Sequence, residues 1–213
     1  VTLEARDWQW RSQPAFADLS PVLGFFIEDT SIVEIDTITA RASYRNEVLT
    51  VDTAQVELEG ARAAFVGELS PTTASGTFDL TDLALRTVSN FVELPLEIEG
   101  LANAQVDISG SLPKPTLDGR VSLDSPTLNG RPVDSFAGEF RYDNDLFEFA
   151  TLAPSWTQLA ARVPFPWTEE NATAQLRLTV DTPGFELLEA LSNGQANWRS
   201  GEGAIRLAAS LDL

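Results

Sequence analysis

The side chains able to do chemistry in this chain are carboxylates, hydroxyls, a single lysine and a few tryptophans. Histidine and cysteine are absent from all 213 residues. That removes His-based triads, Cys nucleophiles and Cys/His zinc sites. Asp143-Asn144-Asp145 places three oxygen-bearing side chains in a row, as a calcium loop would. The run lacks the spaced ligands and terminal Glu of an EF-hand, and Asn and Asp favour tight turns, so it reads as a turn. Glu169-Glu170 beside Asn171 could hold a cation; a solvated loop is the simpler reading. Asn171-Ala172-Thr173 matches the glycosylation acceptor pattern, a short motif of little weight alone. Ser109, Ser111 and Lys114 lie close in sequence. A Ser–Lys dyad needs a preformed oxyanion hole and a nucleophile turn, and a strand end offers neither. With 32 acidic residues, some carboxylates must lie close, but no spacing selects a pair for hydrolysis. Trp156, Trp167 and Trp198 read as structural anchors or as rim residues of a groove. No enzyme activity, metal or cofactor is expected.

The elements that position these residues are strands. The chain reads DTITARASYRNEVLTV over 36–51 and DSFAGEFRYDNDLFEF over 134–149. Asp36 matches Asp134, Tyr44 matches Tyr142, Asn46 matches Asn144 and Val51 matches Phe149, each pair 98 residues apart. Apolar or small residues recur at every second position: Ile38, Ala40, Ala42, Tyr44 in one run, Phe136, Gly138, Phe140, Tyr142 in the other. That is a strand–turn–strand unit with one apolar face. GSLPKPTLDGRVSL (110–123) has a weaker partner in AIRLAASLDL (204–213). Phe78, Leu80 and Thr81 match Leu176, Leu178 and Thr179 at the same offset. Repeats near this length imply stacked units that bury their apolar faces only with neighbours.

Alternation also marks strands at 1–10, 32–44, 47–52, 54–59, 62–69, 74–81, 104–112, 116–123, 133–142, 146–151, 155–163, 174–181 and 203–213. A short helix is predicted over 81–91, capped by Thr81, with Leu85 and Val88 on one face. A second is predicted over 182–194, with Thr182 as cap, Pro183 in its first turn and Gly194 after its last. The stretch 14–26 reads as a loop or short helix, and 164–173 as an irregular connection. Turns at Arg45-Asn46, Asp143-Asn144 and Pro113-Lys114-Pro115 are of the antiparallel kind, so a parallel sheet is not expected. The inward positions include Ala40, Ala42, Ala54, Ala61, Ala63, Gly110, Gly119, Gly138, Ala174 and Ala209. A closed sandwich fills its core with large side chains. Small ones leave room between sheet walls, or else serve tight sheet packing.

Net charge is −18, with 32 acidic residues against 14 basic, and Lys114 is the only lysine. That field repels nucleic acid and anionic membrane surfaces. A hydrophobic fraction of 43% fits a folded chain. The absence of cysteine fits an oxidising compartment but does not require one. No apolar run reaches the ~18 residues that span a bilayer. The chain starts without methionine, as a processed chain or an excised segment would.

From Gly110 to Phe149 the order is a strand ending Gly-Ser-Leu, a proline, a Gly-centred strand, a Leu-Asn-Gly turn and a strand closing on Tyr-x-Asn. This resembles the repeat of the translocation and assembly module (TamB) family, within the AsmA-like superfamily of bridge-like lipid transfer proteins. The cyanobacterial-type members are nearest in style. The stretch from Val163 to Leu213 is similar to the segment after the Tyr-x-Asn strand in those proteins, so the resemblance covers about 36–213. It implies an internal segment of a protein anchored in the inner membrane that crosses the periplasm and conducts phospholipid to the outer membrane. It also implies that an Omp85-type outer-membrane barrel is met by regions outside this segment.

The expected fold is therefore all-β: an elongated antiparallel groove of ~98-residue repeats with short helices at the junctions. Residues 1–35 are assigned to the divergent end of a preceding repeat, 36–133 to a first repeat and 134–213 to a second, incomplete one, all in one sheet. The expected apolar lining, the contact for phospholipid acyl chains, is Ile38, Ala40, Ala42, Val106, Ile108, Leu117, Val121, Phe136, Phe140, Leu176, Leu178, Ile205 and Leu207. Two other functions stay open. One is a scaffold or chaperone for outer-membrane barrels that offers sheet edges; the other is a structural repeat array with a dry core.

Overall fold

The computed structural model describes residues 2–11, 32–89, 97–112, 114–152, 156–164, 173–181, 184–192 and 202–212. Thirteen strands form one antiparallel sheet. They are β1 (Thr2–Arg11), β2 (Ile32–Arg45), β3 (Val48–Leu58), β4 (Ala61–Leu69), β5 (Ala74–Ala84), β6 (Ile98–Ser111) and β7 (Lys114–Leu128). After these come β8 (Arg131–Pro132), β9 (Phe136–Asp143), β10 (Leu146–Thr151), β11 (Thr157–Pro164), β12 (Thr173–Asp181) and β13 (Ala204–Asp212). Each strand pairs with the next in sequence, except that β9 bypasses the two-residue β8 to pair with β7. Helix α1 (Leu85–Ser89) lies between β5 and β6, and α2 (Phe185–Leu191) between β12 and β13.

Turn chemistry sets this meander. Four hairpins turn on two residues in the left-handed region: Asn46-Glu47, Glu59-Gly60, Asn129-Gly130 and Asn144-Asp145, with φ between 47° and 88°. Both central residues at positive φ make a type I′ turn, whose twist matches that of the flanking strands. Asn46-Glu47 and Asn144-Asp145 are the tips of the two matching runs, so equal sequence gives equal hairpins. The Asp143-Asn144-Asp145 run is this turn. Its carboxylates meet protein groups: Lys114 Nζ bridges to Asp145, and Thr116 Oγ1 donates to Asp143 at 3.3 Å.

Bulges separate what alternation alone predicts from what forms. The segments read as strands 47–52 and 54–59 are one strand, β3, with a register shift between Val51 and Ala54. Thr81 is not a helix cap. It pairs with Arg62 inside β5, which passes a register shift between Leu80 and Leu83, with Asp82 at φ 57°. A bulge absorbs one extra residue and lets the strand run on, so α1 starts only at Leu85. The predicted cap Thr182, Pro183, Gly194 and the stretch 14–26 lie outside the described residues, as do 165–172 of the second connection.

No second layer faces this sheet among the described residues. Substantial contacts between elements are those of hydrogen-bonded strands, plus α1 on β5 and β6 and α2 on β7. Few apolar residues are deeply buried; among those that are, Phe185 and Ala190 stand on α2 and Val180 near the end of β12. One open antiparallel sheet of this kind is the all-β groove that the alternation predicts.

Candidate functional site

Strand register gathers the apolar positions onto one face. Directly opposed partners share a face, so a row can be followed from strand to strand. One row runs Leu3, Ala40, Ala54, Phe65, Phe78, Val106, Gly119, Phe140, Phe149, Ala161, Leu176, Ala209, one residue from each strand except β8. It contains no polar side chain. The row beside it runs Ala5, Ile38, Val56, Ala63, Leu80, Ala104, Val121, Gly138. The opposite face reads Thr77, Asp107, Asp118, Arg141, Glu148, Arg162, Gln175, Ser210 along one row.

All thirteen residues expected to line a groove lie on the apolar face. Ala40, Val106, Phe140 and Leu176 stand in the first row and Ile38 and Val121 in the second. Ile108 opposes Leu117, Ala42 opposes Val51, Phe136 opposes Leu123, Leu178 opposes Leu207 and Ile205 opposes Val180. They are not sealed from water: Leu176 is 41% and Leu207 54% exposed. The expected lining omits β3, β4, β5, β10 and β11, whose Val56, Phe65, Phe78, Phe149 and Leu159 share the same face. Their alternation is present in the sequence.

Glycines seat the aromatic rings. A Cβ on Gly119 would come within 2.4 Å of the Phe140 ring, and one on Gly138 within 2.4 Å of the Phe149 ring. Gly67 and Gly76 oppose each other, with the Phe65 ring 2.8 Å from the Cβ position of each. Rings that fold down onto glycine stay close to the sheet instead of standing across the face. Some of the small inward residues therefore hold rings rather than leave space.

The charges sit on the other face and are paired across strands. Arg120 bridges to Glu139 at 2.8 Å, Arg141 to Asp118 at 3.0 Å and Arg162 to Glu148 at 3.4 Å. A depression of about 620 Å³ there is lined by Gln105, Asp107, Asp118, Arg120, Glu139, Arg141 and Glu148 among others. Its charges already meet one another, so it offers little to an apolar ligand. Arg120, Arg141 and Arg162 are paired with carboxylates here, so this part of the face is a mixed ladder rather than a purely acidic surface.

The smaller cavity is on the apolar face, where α2 crosses it. About 310 Å³ is enclosed by Leu123, Leu128, Phe136, Leu159, Leu178 and Leu187, with Pro126, Val133 and Gly184 completing the wall. None of these was foreseen as a pocket residue except Phe136 and Leu178, as groove lining. The β7 bulge at Ser125 (φ 49°) breaks the alternation there, and Leu187 arrives from a helix distant in sequence.

The remaining chemical candidates have local explanations. Ser111 Oγ donates to the Lys114 carbonyl at 3.3 Å while Lys114 Nζ bridges to Asp145. Tyr142 Oη donates to Asp145 at 3.4 Å. Burial, then the Asp145 charge and hydrogen bond, push the Tyr142 phenol above its ordinary pKa, and Lys114 opposes the shift. Trp156 is 55% exposed; Trp167, Trp198, Glu169, Glu170 and Asn171 lie outside the described residues. Among the described residues no three acidic side chains converge as metal ligands, and no helix is long and apolar enough to cross a membrane. Comparison with family models, curated proteins and solved structures returns no match.

Proposed function

We propose that this chain is an internal segment of a bridge protein of the TamB and AsmA-like kind, which conducts phospholipid through the periplasm from inner to outer membrane. The observation that carries this reading is the unbroken apolar row from Leu3 to Ala209, on a face over which the described residues build no second layer. Each buried methylene is worth about 0.8 kcal/mol, so a 16-carbon tail could gain roughly 12 kcal/mol if fully covered. An open wall covers one side of the tail and realises only part of that. Partial binding repeated along a uniform wall lets a chain slide. A charged side chain in the row would raise a barrier, and the row has none. Transfer of this kind makes and breaks no bond, so no catalytic group is called for.

The two other readings are weighed on the same face. A structural array with a dry core needs a partner layer to reach native packing density, which the open face argues against. A scaffold for outer-membrane barrels draws support from β1 and β13, each paired on one side only among the described residues. Such edges accept an added strand. The apolar row is the broader feature, and strand addition leaves it unused.

The purified protein, extracted with organic solvent, is expected to yield co-purified phospholipid. Protein that is lipid-free as isolated and takes up none from vesicles would overturn the reading.

A further inference from the structure

We propose that the cavity beneath α2 holds the methyl end of a single acyl chain, with α2 acting as a clasp fastened to the β7–β8 hairpin. This rests on the lipid-conduit reading, and adds to it a place where a chain pauses. Along most of the apolar face, the described residues supply contact from the sheet alone, α1 on β5 and β6 aside. Beneath α2 a chain meets the sheet below and Leu187 above. Contact on two sides buries more of each methylene, so residence is longest there.

The size of the cavity sets the ligand. An apolar cavity of about 150 Å³ binds one benzene, so 310 Å³ accepts a stretch of about a dozen carbons. That is one chain, not the pair of a diacyl lipid. Four polar residues line the cavity, Asp134, Ser135, Thr151 and Thr157, and two of their hydroxyls are engaged by backbone amides. Ser135 Oγ accepts from the Ser125 amide at 3.1 Å, and Thr151 Oγ1 from the Leu159 amide at 3.0 Å. Asp134 is exposed, and with a net charge of −18 it favours a zwitterionic over an anionic head. The head therefore stays outside while the tail enters.

Two polar ties hold the roof, both from one hairpin. Asn129 Nδ2 donates to the Ala190 carbonyl at 3.0 Å, and Arg131 bridges to Glu189. Asn129 Oδ1 also accepts from the Glu97 amide at 3.3 Å, so the same side chain joins the start of β6 to α2. Asparagine suits both tasks: it tolerates the left-handed turn at φ 51°, and its amide donates and accepts. Phe185 and Ala190, 4% and 0% exposed, anchor the ends of the helix. None of the four residues in these ties lines the cavity, so they fasten the helix without occupying the space beneath it.

The test is calorimetric titration with lauroyl lysophosphatidylcholine below its micelle concentration. Wild type is expected to bind one molecule per chain. Leu159→Trp, which fills the cavity, should weaken binding by about tenfold or more, while Ser122→Trp on the polar face changes it by no more than about twofold. Arg131→Glu should speed release in stopped flow by about fivefold, and Arg131→Glu with Glu189→Arg should restore it. If Leu159→Trp lowers the melting temperature sharply, Leu187→Asp on the roof carries the test, and binding that survives it overturns the proposal. Loss with Val106→Trp on the open apolar face and none with Leu159→Trp also overturns the cavity, and leaves the conduit reading standing. Wild type that binds no lysolipid overturns both.

Discussion

Gly119 and Phe140 face each other across β7 and β9, and the ring lies where a Cβ would be. Backbone closes the other side, with the Gln105 carbonyl 2.9 Å from that position. A methyl group at Gly119 must lift the ring or bend the strand, so Gly119→Ala is expected to cost about 1–3 kcal/mol in urea unfolding. Gly130, with open space around its Cβ position, tests the opposite cause. Its φ of 73° alone penalises a side chain, so Gly130→Ala should cost only about 1 kcal/mol. Tyr142 gives a pH prediction. The fold favours the neutral phenol, so its contribution is fully present below pH 10.0 and is lost as pH rises through the raised pKa. With Tyr44→Phe leaving one tyrosine, the phenolate absorbance should titrate with a midpoint above 10.0. A midpoint at or below that value would show that the burial of the phenol and its Asp145 contact do not hold in solution.

At the scale of elements, the hairpins were the most legible part. Asn-Asp and Asn-Gly at a chain reversal have one economical geometry, the I′ turn, and alternation on both sides fixes which residues face inward. Glu47 departs from that rule, holding φ 64° without being glycine. Glu47→Gly should therefore stabilise the β2–β3 hairpin by roughly 0.5–1 kcal/mol, read as a shift of the urea midpoint at constant slope. Bulges were illegible. Nothing in Thr81-Asp82-Leu83 marks an extra residue in a strand rather than a helix cap, because both use a polar residue before an apolar pair. Only pairing with Arg62 on one side and Ala102 on the other settles it. The helices were legible as helices but not as roofs. Thr87, 5% exposed, donates from Oγ1 to Glu59 at 2.9 Å. That contact joins α1 to the β3–β4 turn, which lies at the same end of the strands, and no local pattern announces it.

At the scale of the molecule, one property arises from register alone. Twelve strands keep one parity across several bulges, so the apolar face has no seam. Val121 sits mid-sheet between Ala104 and Gly138, with small neighbours on both sides and no second layer among the described residues. A charge placed there can reach water, so Val121→Asp should cost about 1–2 kcal/mol rather than unfold the chain. On the proposed lipid-conduit reading it should nonetheless abolish outer-membrane integrity that depends on transport, whereas Ser122→Asp on the polar face should be silent. The most direct measurement is photo-crosslinking in cells that make the full-length protein. A benzophenone amino acid at Val121 or Phe140 is expected to capture phospholipid, and one at Arg120 or Arg141, on the same strands but facing the other way, is expected to capture none. Equal lipid labelling at both sets of positions, or none at either, would contradict an apolar conduit.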